Sequence, residues 1–332
     1  MSSNGLSTKR PTRNDVARYA NVSGWTVSNV FNGRSDVTIR EDTRQRIREA
    51  AEHLGYRPNS NARALATGRT CTIGFWMCFD YSQYRAHVLH RMNQLMKSTE
   101  FELVVRDIEE EITKDIQSAK NVQIPVDGII ALDTPTAGSL LRSYLSVPFV
   151  TMGAFCTGDN DYVKSDLYSG AVDALRHLVA TGRREIIFLV PVIDKSDMRS
   201  QAYEHVLQEA GLKCHYLTTQ DLSLSSARRT VQEFIQSKRG VDAIFCLNDD
   251  LAFGAHRALC DSGVRIGEDI SLVGFDGIEE TEYLSPSLTT VVQPFEQMCE
   301  IAWQFLQNRI NDPSTPPQQI ILKPRLVVRG SS

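Results

Sequence analysis

Apolar positions follow two different rhythms along these 332 residues. Between residues 12 and 57 they recur at helical spacing; beyond residue 71 they gather into short unbroken runs. The first helix opens on a capping box, Thr12-x-x-Asp15, and sets Val16, Ala17 and Ala20 along one face. A tight turn at Asn21-Val22 leads to Ser23, a good N-cap, and to a second helix with Val27, Val30 and Phe31 inward. Asn32-Gly33 stops it. Thr38-x-x-Glu41 reads as a second capping box, before Ile47, Ala50, Ala51 and Leu54 at i, i+3, i+4 and i+7. Gly55 ends that third helix and Pro58 lies beyond it. Two short helices joined by so brief a turn predict a helix-turn-helix.

The segment "NSNARALA", residues 59–66, has helical composition but is too short to hold a helix alone in water. After Cys71 come "TIGFW", "FELVV", "DGIIAL", "PFVTM", "EIIFLV", "DAIFCL" and "SLVGF", separated by amphipathic stretches. That alternation predicts parallel sheets flanked by helices. Roughly 260 residues exceed what one such layer needs, so two similar subdomains are expected. Trp303, in "FEQMCEIAWQFLQNRI", is expected in the core.

Charge changes the picture more than composition does. The whole chain carries −4, yet residues 1–70 hold 12 Lys and Arg against 6 Asp and Glu, a net of +6 that leaves −10 for the remainder. A basic head on an acidic body fits a DNA-binding module joined to another function, although a merely solvated basic surface has the same balance. No run of about 18 apolar residues is present, and "MSSNGLSTKRPTRND" lacks the apolar stretch of a secretion signal. Seven scattered cysteines without C-x-x-C spacing are expected to be reduced thiols in a cytoplasm, not a disulfide framework or a zinc site. The chain has no G-x-x-x-x-G-K-[ST], H-E-x-x-H or G-x-S-x-G, so catalysis and a bound cofactor or metal are not expected.

The second helix is expected to present Gly24, Trp25, Ser28 and Asn29 on the side opposite its valines. Exposed residues at the start of a recognition helix touch base edges. Asn bonds bidentately to adenine, and Trp packs on a thymine methyl or a sugar edge. A surface tryptophan without a role is the plainer alternative.

The stretch "NDVARYANVSGWTVSNVFNG…VTIREDTRQRIREAAEHLGYRPNSNARALATGRTCTIGF" resembles the start of a lactose-repressor (LacI/GalR) family transcription regulator. The matching pattern runs D-V-A, V-S-x-x-T-V-S-R-V-x-N-G, T-R-x-R-I, L-G-Y-x-P-N and A-R-x-L. Two departures stand out: Asn21 replaces a usual glycine, and Asn29 a usual arginine, which unsettles any operator borrowed from relatives. The resemblance implies a headpiece over residues 1–58 with Thr12, Ser23, Gly24, Trp25, Thr26, Ser28, Asn29 and Asn32 as the DNA-facing set. It implies a hinge over 59–69 that becomes helical when two copies meet on the operator. There Leu65 is the minor-groove wedge, Ala62 the small residue where the hinges touch, and Asn59 and Arg63 their polar neighbours.

The resemblance further implies a periplasmic-binding-protein-like core of two doubly wound parallel-sheet subdomains over 70–332, with ligand between them. The N-subdomain is expected at about 71–165 and 296–318, the C-subdomain at about 166–295 and 319–332. Residue by residue, the effector set comprises Trp76, Tyr84, Asp166, Arg199, Asn248, Asp249 and Asp276. Acids, an arginine and an amide form a fork of hydrogen bonds for a polyol, and aromatics cover its apolar face. Asp166 and Asp249 also suit helix N-caps, Arg199 or Asp276 an internal ion pair, and Asp276-Gly277 a plain turn.

The implied protein is a cytoplasmic, nucleoid-associated regulator, a repressor by expectation. It binds a palindromic duplex operator as a homodimer, without membrane association, and answers to a small carbohydrate-like effector. No leucine heptad tail follows, so a tetramer is not expected. A purine or phosphorylated metabolite as effector stays open, as do the direction of its effect, the operator sequence, and a core that serves only for dimerisation.

Overall fold

The computed structural model describes residues 11–31, 37–57, 64, 68–77, 82–107, 125–134, 147–154, 159–237 and 240–332. The chain divides into two compact units, Met1–Cys71 and Thr72–Ser332.

In the first unit the helices are α1 (Arg13–Tyr19), α2 (Gly24–Phe31) and α3 (Glu41–Leu54). The first capping box forms as expected: the Asp15 N–H donates to Thr12 Oγ1, and the Thr12 N–H donates back to the Asp15 carboxylate at 2.9 Å. Asn21 takes the left-handed conformation, φ +51°, which lets the chain double back in the turn. Ser23 Oγ accepts from the Thr26 N–H at 3.1 Å and starts α2. The second capping box does not form. The chain stays extended through Arg40 (φ −60°, ψ 143°), so α3 starts two residues late with no side-chain cap. Glu41 and Asp42 in its first turn complement the helix dipole instead. Gly55, at φ +67°, closes α3, and the Tyr56 N–H reaches back to the Ala51 carbonyl at 2.8 Å. Val16, Val27 and Ile47, one from each helix, are fully buried at the centre, ringed by Ala17, Ala20, Val30, Ala50 and Ala51. Asn32, Asn59, Ala62, Arg63 and Leu65, and with them most of the expected hinge, lie outside the described residues.

The second unit contains, in chain order, β1 (Thr72–Met77), α4 (Gln83–Lys97), β2 (Glu102–Asp107), β3 (Gly128–Leu132), β4 (Phe149–Gly153), β5 (Asp161–Ser165), α5 (Leu167–Ala180), β6 (Ile186–Val190) and α6 (Met198–Glu209). There follow β7 (His215–Thr218), α7 (Leu224–Gln236), β8 (Ala243–Cys246), α8 (Asp249–Asp261), β9 (Ser271–Asp276), a 3-10 turn (Glu279–Tyr283), β10 (Thr289–Val292), α9 (Phe295–Asn311), β11 (Gln319–Leu322) and β12 (Arg325–Val327). Among the described residues these strands build two six-stranded sheets, ordered β11-β5-β4-β3-β1-β2 and β12-β10-β9-β8-β6-β7. Every pairing is parallel except β10 with β12. In each sheet the strand order reverses beside its first strand, the topology that opens a crevice at the carboxyl ends of the strands.

All seven apolar runs are strands. β5, β7, β10, β11 and β12 were not expected; β7, β11 and β12 are short, partly exposed strands at or next to sheet edges. The first sheet packs Ile73, Phe75 and Met77 against Val88, Met92 and Met96 of α4 and Met298, Ala302, Trp303 and Leu306 of α9. The second is covered by α5 and α6 on one face and α7 and α8 on the other. The chain passes between the halves three times: from β5 to α5, from β10 to α9, and from β11 to β12. The last passage corrects the expected boundary at 318/319, because β11 pairs with β5 in the first sheet and only β12 joins the second.

Candidate functional site

In the first unit, α2 turns Trp25 outward, 61% exposed, with Gly24 and Ser28 half-buried beside it. Thr12, Ser23 and Thr26 are engaged in the two helix starts. Asn29 departs from its expected place. It is 3% exposed, and its Nδ2 donates to the Trp25 carbonyl one turn back at 3.0 Å. A short amide within reach of an i−4 carbonyl bonds there instead of extending into solvent.

In the second unit, Arg199 gathers the polar groups. It stands in the first turn of α6, whose N-cap is Asp197. Its Nε and Nη2 donate to the two Asp197 carboxylate oxygens at 3.0 and 2.7 Å, and its Nη1 to the Leu247 carbonyl at 2.8 Å. The guanidinium carbon lies 5.4 Å from the centre of the Phe275 ring, a cation–π distance. Asp276 and Asp133 also act on this charge. Asp133 follows the last residue of β3 and Asp276 ends β9, so both stand at carboxyl ends of strands, one from each sheet.

Both aspartates are held in unusual backbone conformations. Asp276 has φ +128°, and its Oδ1 accepts from Gln293 Nε2 at 2.8 Å. Asp133 has φ +48°, and its Oδ1 accepts from the Ala154 N–H at 2.7 Å. Gly153 is required beside it, because a Cβ there would sit 2.1 Å from Asp133 Oδ1. Such strain survives only where the surroundings over-determine it, and it concentrates at ligand clamps.

Electrostatics sort the acids. Burial, reinforced by neighbouring Asp249, pushes Asp276 well above the usual carboxylate range against the pull of Arg199 and Gln293. Burial raises Asp133 as well, opposed by the Ala154 N–H, Arg85 and Arg199. For Asp197 burial also pushes upward, but the Arg199 guanidinium outweighs it and the carboxyl ends below its ordinary value. Carboxyls that keep protons can donate as well as accept.

The remaining sequence candidates are brought to the structure in other roles. Asp249 is fully buried; it accepts from Thr290 Oγ1 at 2.7 Å and from the Gly277 and Ile278 N–H groups at 2.7 and 3.1 Å. It braces the loop that carries Asp276. Asn248 caps α8 through the Leu251 N–H, and Asp166 caps α5 through the Ser169 N–H. Trp76, 1% exposed, meets Phe149 edge-on at 6.3 Å. Tyr84 packs edge-on against Phe295 inside the first-sheet core. Sequence reasoning missed Asp133, Asp197, Phe275 and Gln293. It also missed Asp250, whose Oδ2 accepts from the Gln83 N–H at 3.2 Å and so joins the start of α8 to the start of α4. His87 and Glu280 make a second link between the two halves at 3.0 Å.

Two family descriptions match the chain: bacterial regulatory proteins of the lacI family over residues 12–59, and a periplasmic binding protein-like domain over residues 175–332. The ribose operon repressor of Haemophilus influenzae is 28% identical over 329 residues, 96% of this chain and 98% of that protein. The HTH-type transcriptional repressor PurR of Erwinia tasmaniensis is 30% identical over 330 residues, 96% of each. Among solved structures, the lac repressor dimer bound to operator and the anti-inducer ONPF is 25% identical with a TM-score of 0.82, covering 97% of this chain and 99% of that one.

Proposed function

Because the chain belongs to the lacI family of bacterial regulatory proteins, we propose that it is a repressor working as a dimer on a palindromic operator, switched by a neutral, hydroxyl-rich small molecule bound around Arg199. It is a regulator and not a catalyst, as its relatives are transcriptional repressors. Operator binding by a dimer is what the lac repressor complex does, and the helix-turn-helix supports the same use here. Among the described residues no helix is long and apolar enough to cross a membrane, which suits action beside the chromosome in the cytoplasm.

One observation carries the choice of effector class. Around Arg199 and the neighbouring Asp276 the carboxyls of Asp133, Asp197, Asp249, Asp250 and Asp276 outnumber the guanidiniums of Arg199 and Arg85 among the described residues. A phosphate or carboxylate entering such a site finds the Arg199 guanidinium already paired with Asp197. Neutral hydroxyls meet donors and acceptors in quantity, and Phe275 offers an apolar ring face. The name of the ribose operon repressor is consistent with a sugar.

The effector acts only through its differential affinity for two states of the repressor. A coupling of about 1–3 kcal/mol changes operator affinity roughly 5- to 150-fold. Titration calorimetry of the full chain against neutral sugars and their phosphate esters tests this reading. We expect heat from one or more neutral sugars and none from the matching phosphates. Arg199→Ala should abolish the response while operator affinity in its absence changes less than about threefold, since DNA is read by the other unit. Preferential binding of the phosphate esters would discard the proposed effector class.

A further inference from the structure

The recognition helix is unusual in what it lacks. Its first residue is Gly24, Asn29 is folded back on the helix, and Trp25 and Ser28 are left as its outward side chains. None of these is a cation, and Ser28 has only a short hydroxyl. The gap is filled from the neighbouring helix. Arg13, the first residue of α1, reaches across to α2 and donates from Nη1 to Ser28 Oγ at 3.2 Å. Its guanidinium rests against Gly24: a Cβ on that glycine would lie 3.2 Å from Arg13 Nε and 3.6 Å from Cζ. Residues 24 and 28 are one turn apart on the same helix face, so the guanidinium is laid along the face whose first turn also carries Trp25.

From this geometry we propose that Arg13, seated over Gly24 and fixed by Ser28, is a base-reading residue that selects a guanine in each half-site. The inference rests on the operator-binding reading above. Three observations support it. A cation in the first turn of α1 opposes the helix dipole, so local helix stability does not account for it. Among the described residues its hydrogen-bond partner is a hydroxyl and not a carboxylate, which leaves the positive charge and the Nε/Nη2 edge of the fork available. That edge is the shape that bonds bidentately to guanine O6 and N7 in the major groove. Gly24 is then the residue that makes room: even a Cβ there would make the guanidinium give by a few tenths of an ångström.

The test is selection of duplexes from a random pool by the full-length protein, followed by affinities for the selected half-site with each base at each position. Wild type should prefer guanine at one position per half-site by roughly 5- to 150-fold over the other bases. Arg13→Ala should flatten that position and keep the preferences elsewhere. Arg13→Lys, which keeps the charge but loses the planar fork, should flatten it nearly as far. Ser28→Ala should weaken it in part.

If Arg13 instead holds a phosphate, Arg13→Ala lowers affinity equally for all sequences and reduces the slope of log affinity against log salt by about 0.9 per site. Arg13→Lys then restores both. If it merely ties α1 to α2, thermal stability falls and every base preference survives. Either result overturns the proposal. Absence of any preferred duplex for wild type would instead overturn the operator-binding reading itself, so the two failures are distinguishable.

Discussion

At the scale of single residues, the polar cluster around Arg199 and Asp276 holds several buried acids. Asp250 makes this measurable. Burial pushes it from 3.8 up to about 6, with Glu280 adding to the push and the Gln83 N–H opposing it. The native state therefore holds that proton more tightly than the unfolded chain does. Its contribution to stability declines as pH climbs from about 4 to about 6 and stays at the lower level above. Asp250→Asn keeps an acceptor for Gln83 and removes the charge. It should melt higher than wild type at about pH 7.5, with the gap shrinking by about pH 4.5; a gap independent of pH would show that the charge is not the cost.

Legibility at this scale was uneven. Arg199 and Asp276 were readable because each stands where a known motif puts it. Asp133 obeys the same rule, directly following the apolar run "GIIAL", and could have been found by asking what ends each strand. Gln293 and Asp197 could not, since their roles arise only once residues far apart in sequence are folded together. Asn29 misled because its helix position allows an outward side chain, while one hydrogen bond to its own turn holds it in.

At the scale of elements, the strength of a pattern decided what could be read. Central strands such as β3 and β6 are buried along their whole length and leave continuous apolar runs. The partly exposed strands β7, β11 and β12 have mixed sequences that three or four residues cannot separate from loop. The helices of the first unit were legible from caps and spacing, apart from the start of α3. Their shared core is small, so its centre should be sensitive. Ile47→Ala removes a fully buried side chain at an expected cost of about 2–5 kcal/mol, comparable with the whole stability of so small a domain. Scanning calorimetry should show the transition of this unit lowered or lost and that of Thr72–Ser332 within about 2 °C of wild type. Operator binding should vanish while calorimetric effector binding persists. A matched fall in both transitions would mean that the two units melt as one.

At the scale of the whole molecule, the fold class and two-part plan were legible, because basic head and acidic body differ in charge as well as in rhythm. The exact weave of the core was not: nothing in "PQQIILKPRLVV" announces that four residues belong to one sheet and the next three, two residues on, to the other. At the proposed site an effector would touch both halves, Asp133 from one and Arg199 with Asp276 from the other. A neutral sugar at 100 times its dissociation constant should stabilise the core by about 2.7 kcal/mol. In a core of this size that is an upward shift of roughly 5 °C in its melting transition. The headpiece transition should not follow. A headpiece that rises by the same amount would place part of the ligand's contacts outside the core.

The threefold passage of the chain between the two sheets has a consequence for inheritance. One cut near residue 70 separates the reader of DNA from the rest as a single uninterrupted stretch, so a recombination there can hand an old sensor a new address. No single cut divides the sensor into its halves, because each is assembled from separate stretches of chain. Its taste in ligands must therefore drift by point substitution inside the crevice, or be traded as one indivisible block.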